Sequence, residues 1–239
     1  MNTKQDMTKY DQIKKAAFHA NMELPKLGLV IFTFGNVSVA DRSLGVFAIK
    51  PSGVPYVELS SDKMVIVDFD GRIKEGSLRP SSDTLTHALL YKTWNDIGAI
   101  VHTHSTYATA WAQAQRDIPI LGTTHADHLT VDIPCAPPMD DKMIAGNYEL
   151  ETGNQIINCL KDRKLDYHEV EMMLVGNHAP FVWGKNPSKA VYNAAVLEEI
   201  ARMAYLTFQI NPTADKLKES LIKKHFERKH GPESYYGQE

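Results

Sequence analysis

Asp70-Gly71, set between Met64–Phe69 and Arg72–Lys74, constrains the fold more than any other feature of the sequence. A two-residue hairpin needs a left-handed backbone in its turn, and Asp-Gly is one of the pairs that supplies it. Candidate strands at Leu29–Phe34 and Val46–Ile49 precede it with no helical pattern between them. Strands joined by hairpins rather than helical crossovers build antiparallel sheets, which argues against a Rossmann arrangement. Further strands are expected at Ile97–Val101, Leu174–His178 and Phe181–Trp183. Helical patterns surround them. One runs from about Tyr10 to Glu23, with Ile13, Ala16, Ala17, Ala20 and Leu24 on one stripe and Pro25 and Gly28 as the stop. Others run from Ser81-Ser82-Asp83 to Trp94, from a Ser105 cap through Gln115, from Asn186-Pro187 to Gln209, and from Asp215 to Lys229. The expectation is an α/β fold with helices packed on a largely antiparallel sheet.

The 239 residues suffice for one domain with a substantial core. A net charge of -3 gives no reason to expect nucleic acid or an anionic membrane as partner. The basic runs Lys223-Lys224-His225 and Arg228-Lys229-His230 read as a solvated helix face. No apolar stretch is long enough to span a bilayer, and Met1–Lys9 carries no signal-peptide pattern. Cys135 and Cys159 are too few for a disulfide framework, so a reducing, cytoplasmic location is expected.

The run Ile97–Val101 closes on His102-Thr103-His104. Residues two apart on a strand share a face, so both imidazoles point the same way. Such a pair is half of a transition-metal site. Asp83, at a helix start, and His178, at the end of an apolar strand, are candidates to complete it. His87 shares the helix face of Asp83, but Leu85, Leu89 and Leu90 surround it, which favours a packed histidine. His125 and His128 also resemble ligands. Spacing alone does not decide among them. Three short segments look built to hold an anion: Gly35-Asn36, Lys50-Pro51-Ser52-Gly53 and Ser81-Ser82. Glycine admits close backbone approach, a helix N-terminus favours negative charge, and Lys50 adds a cation. Beside a metal site they suggest a phosphorylated substrate. There is no P-loop and no G-x-G-x-x-G, so neither a nucleoside triphosphate nor NAD is indicated.

These segments occur in an order that resembles the class II aldolase/adducin superfamily and, within it, the L-ribulose-5-phosphate 4-epimerases. The landmarks are Gly35-Asn36-Val37-Ser38, Ile49–Val54, Pro80–Thr84, Val101–Ser105, Gly122–Asp127, His178–Phe181 and Lys229-His230-Gly231. One departure is Asn177, which stands where a serine is common. The resemblance implies a three-layer α/β/α fold and a Zn²⁺ ion, or another divalent transition metal, on Asp83, His102, His104 and His178. It implies substrate contacts from Gly35, Asn36, Lys50, Ser52, Gly53, Ser81 and Ser82, and acid/base roles for Asp127 and Tyr236. Thr123, His225 and Tyr236 match positions that line the site from a neighbouring subunit. A cyclic homotetramer follows, with residues 1–239 as one domain whose C-terminal helix and tail, about 213–239, reach that neighbour. The implied activity is interconversion of L-ribulose 5-phosphate and D-xylulose 5-phosphate, in arabinose, ascorbate or xylulose-related metabolism. Aldolases of the superfamily carry glutamate where Asp83 stands, which favours epimerase over a class II sugar-phosphate aldolase. A non-catalytic scaffold like the adducin heads is the third alternative.

Overall fold

The computed structural model describes residues 8–231 and Ser234. The helices are α1 (Asp11–Lys26), α2 (Thr84–Thr93), α3 (Thr106–Gln113), α4 (Thr123–Ala126), α5 (Asp141–Ala145), α6 (Tyr148–Asp162), α7 (Pro187–Ile210) and α8 (Glu219–His230). The strands are β1 (Asn36–Asp41), β2 (Val46–Ile49), β3 (Val65–Asp68), β4 (Ile73–Glu75), β5 (Ala99–His102), β6 (Cys135–Ala136), β7 (Met172–Val175) and β8 (Pro180–Gly184). Among the described residues they form one sheet in the order β4-β3-β2-β1-β5-β8-β7-β6. Every pairing is antiparallel except that of β6 with β7. Alternate strand residues feed two cores. Val37, Val39, Val101, Leu174 and Val182 pack with α1, α3 and α7, and Phe47, Ile49, Ile100, Met173, Phe181 and Trp183 pack with α2 and α6. The result is the expected three-layer α/β/α architecture, with the Asp70-Gly71 hairpin joining β3 to β4.

Several local expectations are corrected. Leu29–Phe34 is not a strand: it is an irregular loop with Ile31, Phe32 and Phe34 exposed. β1 begins only at Asn36, as an interior strand flanked by β2 and β5. Carbonyls of the preceding loop are bound by side chains instead, Thr33 O by Lys50 Nζ (3.1 Å), and Phe34 O and Gly35 O by the Tyr56 hydroxyl (3.0 Å each). Helix α1 runs past Pro25 to Lys26, because Leu27 N–H still reaches Glu23 O at 3.0 Å, and Gly28, at φ +69°, turns the chain away just beyond it. Asp83 and Ser105 stand at N-cap positions, yet neither side chain caps its helix. The first turn of α3 is capped from α7: the Glu198 carboxylate accepts from Tyr107 N (2.8 Å) and Ala108 N (2.9 Å). Helix α8 starts at Glu219 rather than Asp215.

Asp127, just past α4, holds α8 in place. Its carboxylate accepts from Arg228 Nε (3.2 Å) and Nη2 (3.0 Å to each oxygen) and from His225 Nδ1 (2.9 Å), while Lys229 Nζ lies 3.5 Å away. His230 Nε2 donates to Asp127 O at 3.0 Å. Burial alone would raise this carboxyl's pKa, but the hydrogen bonds from Arg228 and His225 and the charge of Lys229 outweigh it and hold it below the usual range. A carboxylate depressed in this way stabilises the fold above its unfolded pKa of ~4, and the contribution disappears as pH falls through the lower folded value. Helix α8 should therefore stay docked at neutral pH and loosen only in acid. In an Asp127→Asn variant its amides should exchange hydrogen markedly faster at pH 7; unchanged protection would show that other contacts hold the helix.

Candidate active site

The sheet's central register builds the site. Asn36 on β1 lies opposite His102 on β5, and His102 lies opposite Phe181 on β8. His102 is the last residue of β5, and His104 follows in the short link to α3. His178 sits in the turn between β7 and β8, after Asn177 at φ +60°, a left-handed position that asparagine tolerates better than most residues. The ring centres of His102, His104 and His178 are 5.0, 4.9 and 5.3 Å apart pairwise, and their ligating nitrogens lie within 4.8 Å of one another. The His102 ring stacks on Phe181 at 4.1 Å, and its Nδ1 donates to Pro180 O at 3.0 Å. That bond places the proton on Nδ1 and leaves the Nε2 lone pair facing the cluster.

The three rings fit a metal ion chemically. Burial, reinforced by the neighbouring His102 and His104, pushes His178 down to about 3, and burial lowers His104 as well. Neutral imidazoles are what a transition metal binds. His178 Nδ1 is buried with no hydrogen-bond partner, as is Asn36 Oδ1. Orphaned polar atoms of this kind call for a ligand or water. Asp83 lines the same cleft. Its Oδ2 accepts from Asn36 Nδ2 (2.7 Å) and from Ser81 Oγ (3.3 Å) rather than capping α2. Burial would raise its pKa, but the fields of His102 and His87 and the Asn36 hydrogen bond prevail and hold it below the ordinary range. His87 lies outside the trio. It is fully buried, its Nδ1 sits 2.7 Å from Ser38 Oγ, and burial pushes it down to about 3. His125 and His128 are elsewhere too, His125 Nε2 bonding Val131 O (3.2 Å) and His128 packing edge-on against Tyr192.

The three segments expected to hold an anion converge on this cleft of about 440 Å³. Gly35, Asn36, Lys50, Ser52, Gly53, Ser81 and Ser82 all line it, together with Asp83 and the three histidines. A backbone bridge holds two of the loops together: Ser52 N donates to Arg79 O (2.9 Å) and Ser81 N to Lys50 O (3.0 Å). Gly35 has φ +71°, and a Cβ there would stand 2.8 Å from Val30 Cγ1 and 2.9 Å from His102 O. Only glycine brings this loop against the end of β5. Lys50 is 2% exposed, and its ammonium donates to Thr33 O and lies 4.9 Å from the centre of the Tyr56 ring. It has no carboxylate partner among the described residues. Burial without a counter-charge pushes it down to about 8.

Two cleft residues escape the sequence pattern. Tyr148 and Glu149 come from the start of α6, a helix whose one sequence signal is the Asn147 cap, which accepts from Leu150 N at 3.2 Å. The remaining candidates are not in this cleft. Thr123, Asp127 and His225 lie at the junction of α4 and α8, and Tyr236 lies outside the described residues.

The comparisons with known proteins agree with this geometry. The family described as Class II Aldolase and Adducin N-terminal domain matches residues 15–205. The L-ribulose-5-phosphate 4-epimerases UlaF of Salmonella paratyphi B and Salmonella typhi are each 51% identical over 227 residues, covering 95% of this chain and 99% of theirs. Among solved structures, an L-fuculose 1-phosphate aldolase superposes with TM-score 0.76 at 23% identity, over 93% of this chain and 97% of its own. YgbL from Klebsiella pneumoniae, described as a putative aldolase/epimerase/decarboxylase, gives 0.71 at 23% identity, over 91% and 99%. With a family match across most of its length and relatives at half identity over nearly all of it, the chain belongs to the class II aldolase/adducin family.

Proposed function

We propose that the protein is a metal-dependent L-ribulose-5-phosphate 4-epimerase. The observation that carries this reading is the pairing of 51% identity to epimerases of that name with a cleft in which three imidazoles, a carboxylate and a buried lysine converge. His102, His104, His178 and Asp83 would hold the ion, with Zn²⁺ the choice that suits three imidazoles and a carboxylate. When bound, it supplies Lewis acidity that stabilises negative charge on the C2 side of the substrate.

The C4 hydrogen of a ketopentose 5-phosphate is not adjacent to the C2 carbonyl, so direct abstraction would leave an unstabilised carbanion. Cleaving and remaking the C3–C4 bond avoids this. A base takes the C4 hydroxyl proton, the C3–C4 electron pair moves toward C2, and an enediolate and glycolaldehyde phosphate result. If the aldehyde turns before the bond re-forms, attack on its other face inverts C4. Gly35, Asn36, Lys50, Ser52, Gly53, Ser81 and Ser82 would anchor the phosphate through that rotation, Lys50 as the buried cation and the rest through backbone and side-chain donors. Asp127 and Tyr236 would move protons on opposite faces of the aldehyde. Because Asp127 and His225 lie away from the cleft of their own chain, this reading has them, with Thr123 and Tyr236, complete the cleft of a neighbouring subunit in a homotetramer. No helix among the described residues is long and apolar enough to cross a membrane. A phosphorylated pentulose is a metabolite of the cytoplasm, where the protein would act.

With L-ribulose 5-phosphate and Zn²⁺, D-xylulose 5-phosphate should accumulate without free glycolaldehyde phosphate. Release of the fragments would identify an aldolase instead, and no turnover by the metal-loaded protein would point to a scaffold. His178→Asn should lose bound metal and lower turnover by ~10³-fold or more, the order expected when a Lewis acid worth several kcal/mol is removed. Mixing Tyr236→Phe chains with His178→Asn chains should restore part of the activity, and no rescue would refute a site shared between subunits.

A further inference from the structure

Tyr148 and Glu149 face the cleft but hold no part in the roles assigned above. Tyr148 is 41% exposed, and its ring centre lies 6.0 Å from that of His178. Burial, followed by the fields of Asp83 and Glu149, holds its phenol above the ordinary range, so the group stays protonated as a donor. That hydroxyl makes no hydrogen bond to another described residue and is open to solvent. Its backbone is nonetheless fixed, because Asn147 caps α6 and Thr86 Oγ1 donates to Glu149 O at 2.5 Å. A solvent-facing donor on a fixed backbone at the mouth of the cleft is free to exchange water for a substrate acceptor.

The substrate has one polar group left to offer. The phosphate belongs to the loops around Lys50, the C2 and C3 oxygens carry the developing charge, and the C4 hydroxyl exchanges its proton. The hydroxyl on C1, at the end remote from the phosphate, is unclaimed. We infer that Tyr148 is a specificity-determining residue that donates a hydrogen bond to the C1 hydroxyl of the ketopentose phosphate, and this rests on the epimerase reading above. The phenol selects for a hydroxylated terminal carbon over a methyl group at the same place.

A cycle that crosses an enzyme change with a substrate change tests it. D-Xylulose 5-phosphate and its 1-deoxy analogue are compared with the wild-type protein and with Tyr148→Phe, reading kcat/KM for 4-epimerisation. Where the deoxy compound is not turned over, its inhibition constant replaces that reading. Wild type should disfavour the deoxy compound by ~10-fold or more, the scale set by a lost hydrogen bond to a built polar site. Tyr148→Phe should lose a similar factor on the full substrate, lose nothing further on the deoxy compound, and keep its full metal content. Independent, multiplying effects would overturn the assignment, as would loss of metal from the variant, which would make Tyr148 a support for His178. Failure of the wild type to interconvert the pentuloses would bring down the epimerase reading itself, a result distinct from either.

Discussion

The register that sets Asn36 against His102, and His102 against Phe181, is the constraint on which the rest of the molecule hangs. It lies at the middle of the sheet, where β1, β5 and β8 are each paired on both sides and slippage would turn a whole strand inside out. From it follow the stacking of His102 on Phe181, the bond to Pro180 O that fixes its tautomer, and the reach of Asn36 to Asp83 across 47 positions of chain. Helix α3 begins two residues beyond His104, and the grip of Glu198 on its first turn ties this segment to α7. The cleft is a consequence of how three strands are matched.

Burial then sets the chemistry. The same loss of water that keeps His104 and His178 neutral also lowers Lys50 and raises Tyr148. Lys50, the most deeply buried of them, donates with little competing solvent, which strengthens its electrostatic contact with whatever enters. Asp83 is the exception, kept ionised inside the same cleft by the groups around it. The arrangement costs stability, since orphaned atoms such as Asn36 Oδ1 and His178 Nδ1 gain nothing in the fold.

Much of this is legible in the residue order, and the failures have physical causes. Asp70-Gly71 announces a hairpin because turn geometry is local. His102 and His104 do come together, but β5 ends at His102 and it is the link to α3, not the pleat, that brings the second ring in. Leu29–Phe34 misleads because a short apolar run says nothing about whether a neighbouring strand will pair with it. Asp83 and Ser105 mislead in a related way: both occupy cap positions, but one carboxylate is drawn into the cleft by Asn36 and the other helix is capped from α7. Helix α6 escapes notice, and with it Tyr148 and Glu149, since its buried face of Thr152, Gln155, Ile156, Cys159 and Leu160 is too polar to stand out. Thr123, Asp127 and His225 are singled out by family resemblance alone, and within one chain they form a separate cluster.

Lys50 carries one more implication. An ammonium that titrates near 8 is only partly protonated in mildly alkaline solution, and a dianion settling over it would draw its pKa back up. Ligand capture is then coupled to proton uptake from the buffer. The measured heat of association should depend on the ionisation enthalpy of that buffer, and affinity should decline on the alkaline side as the amine empties.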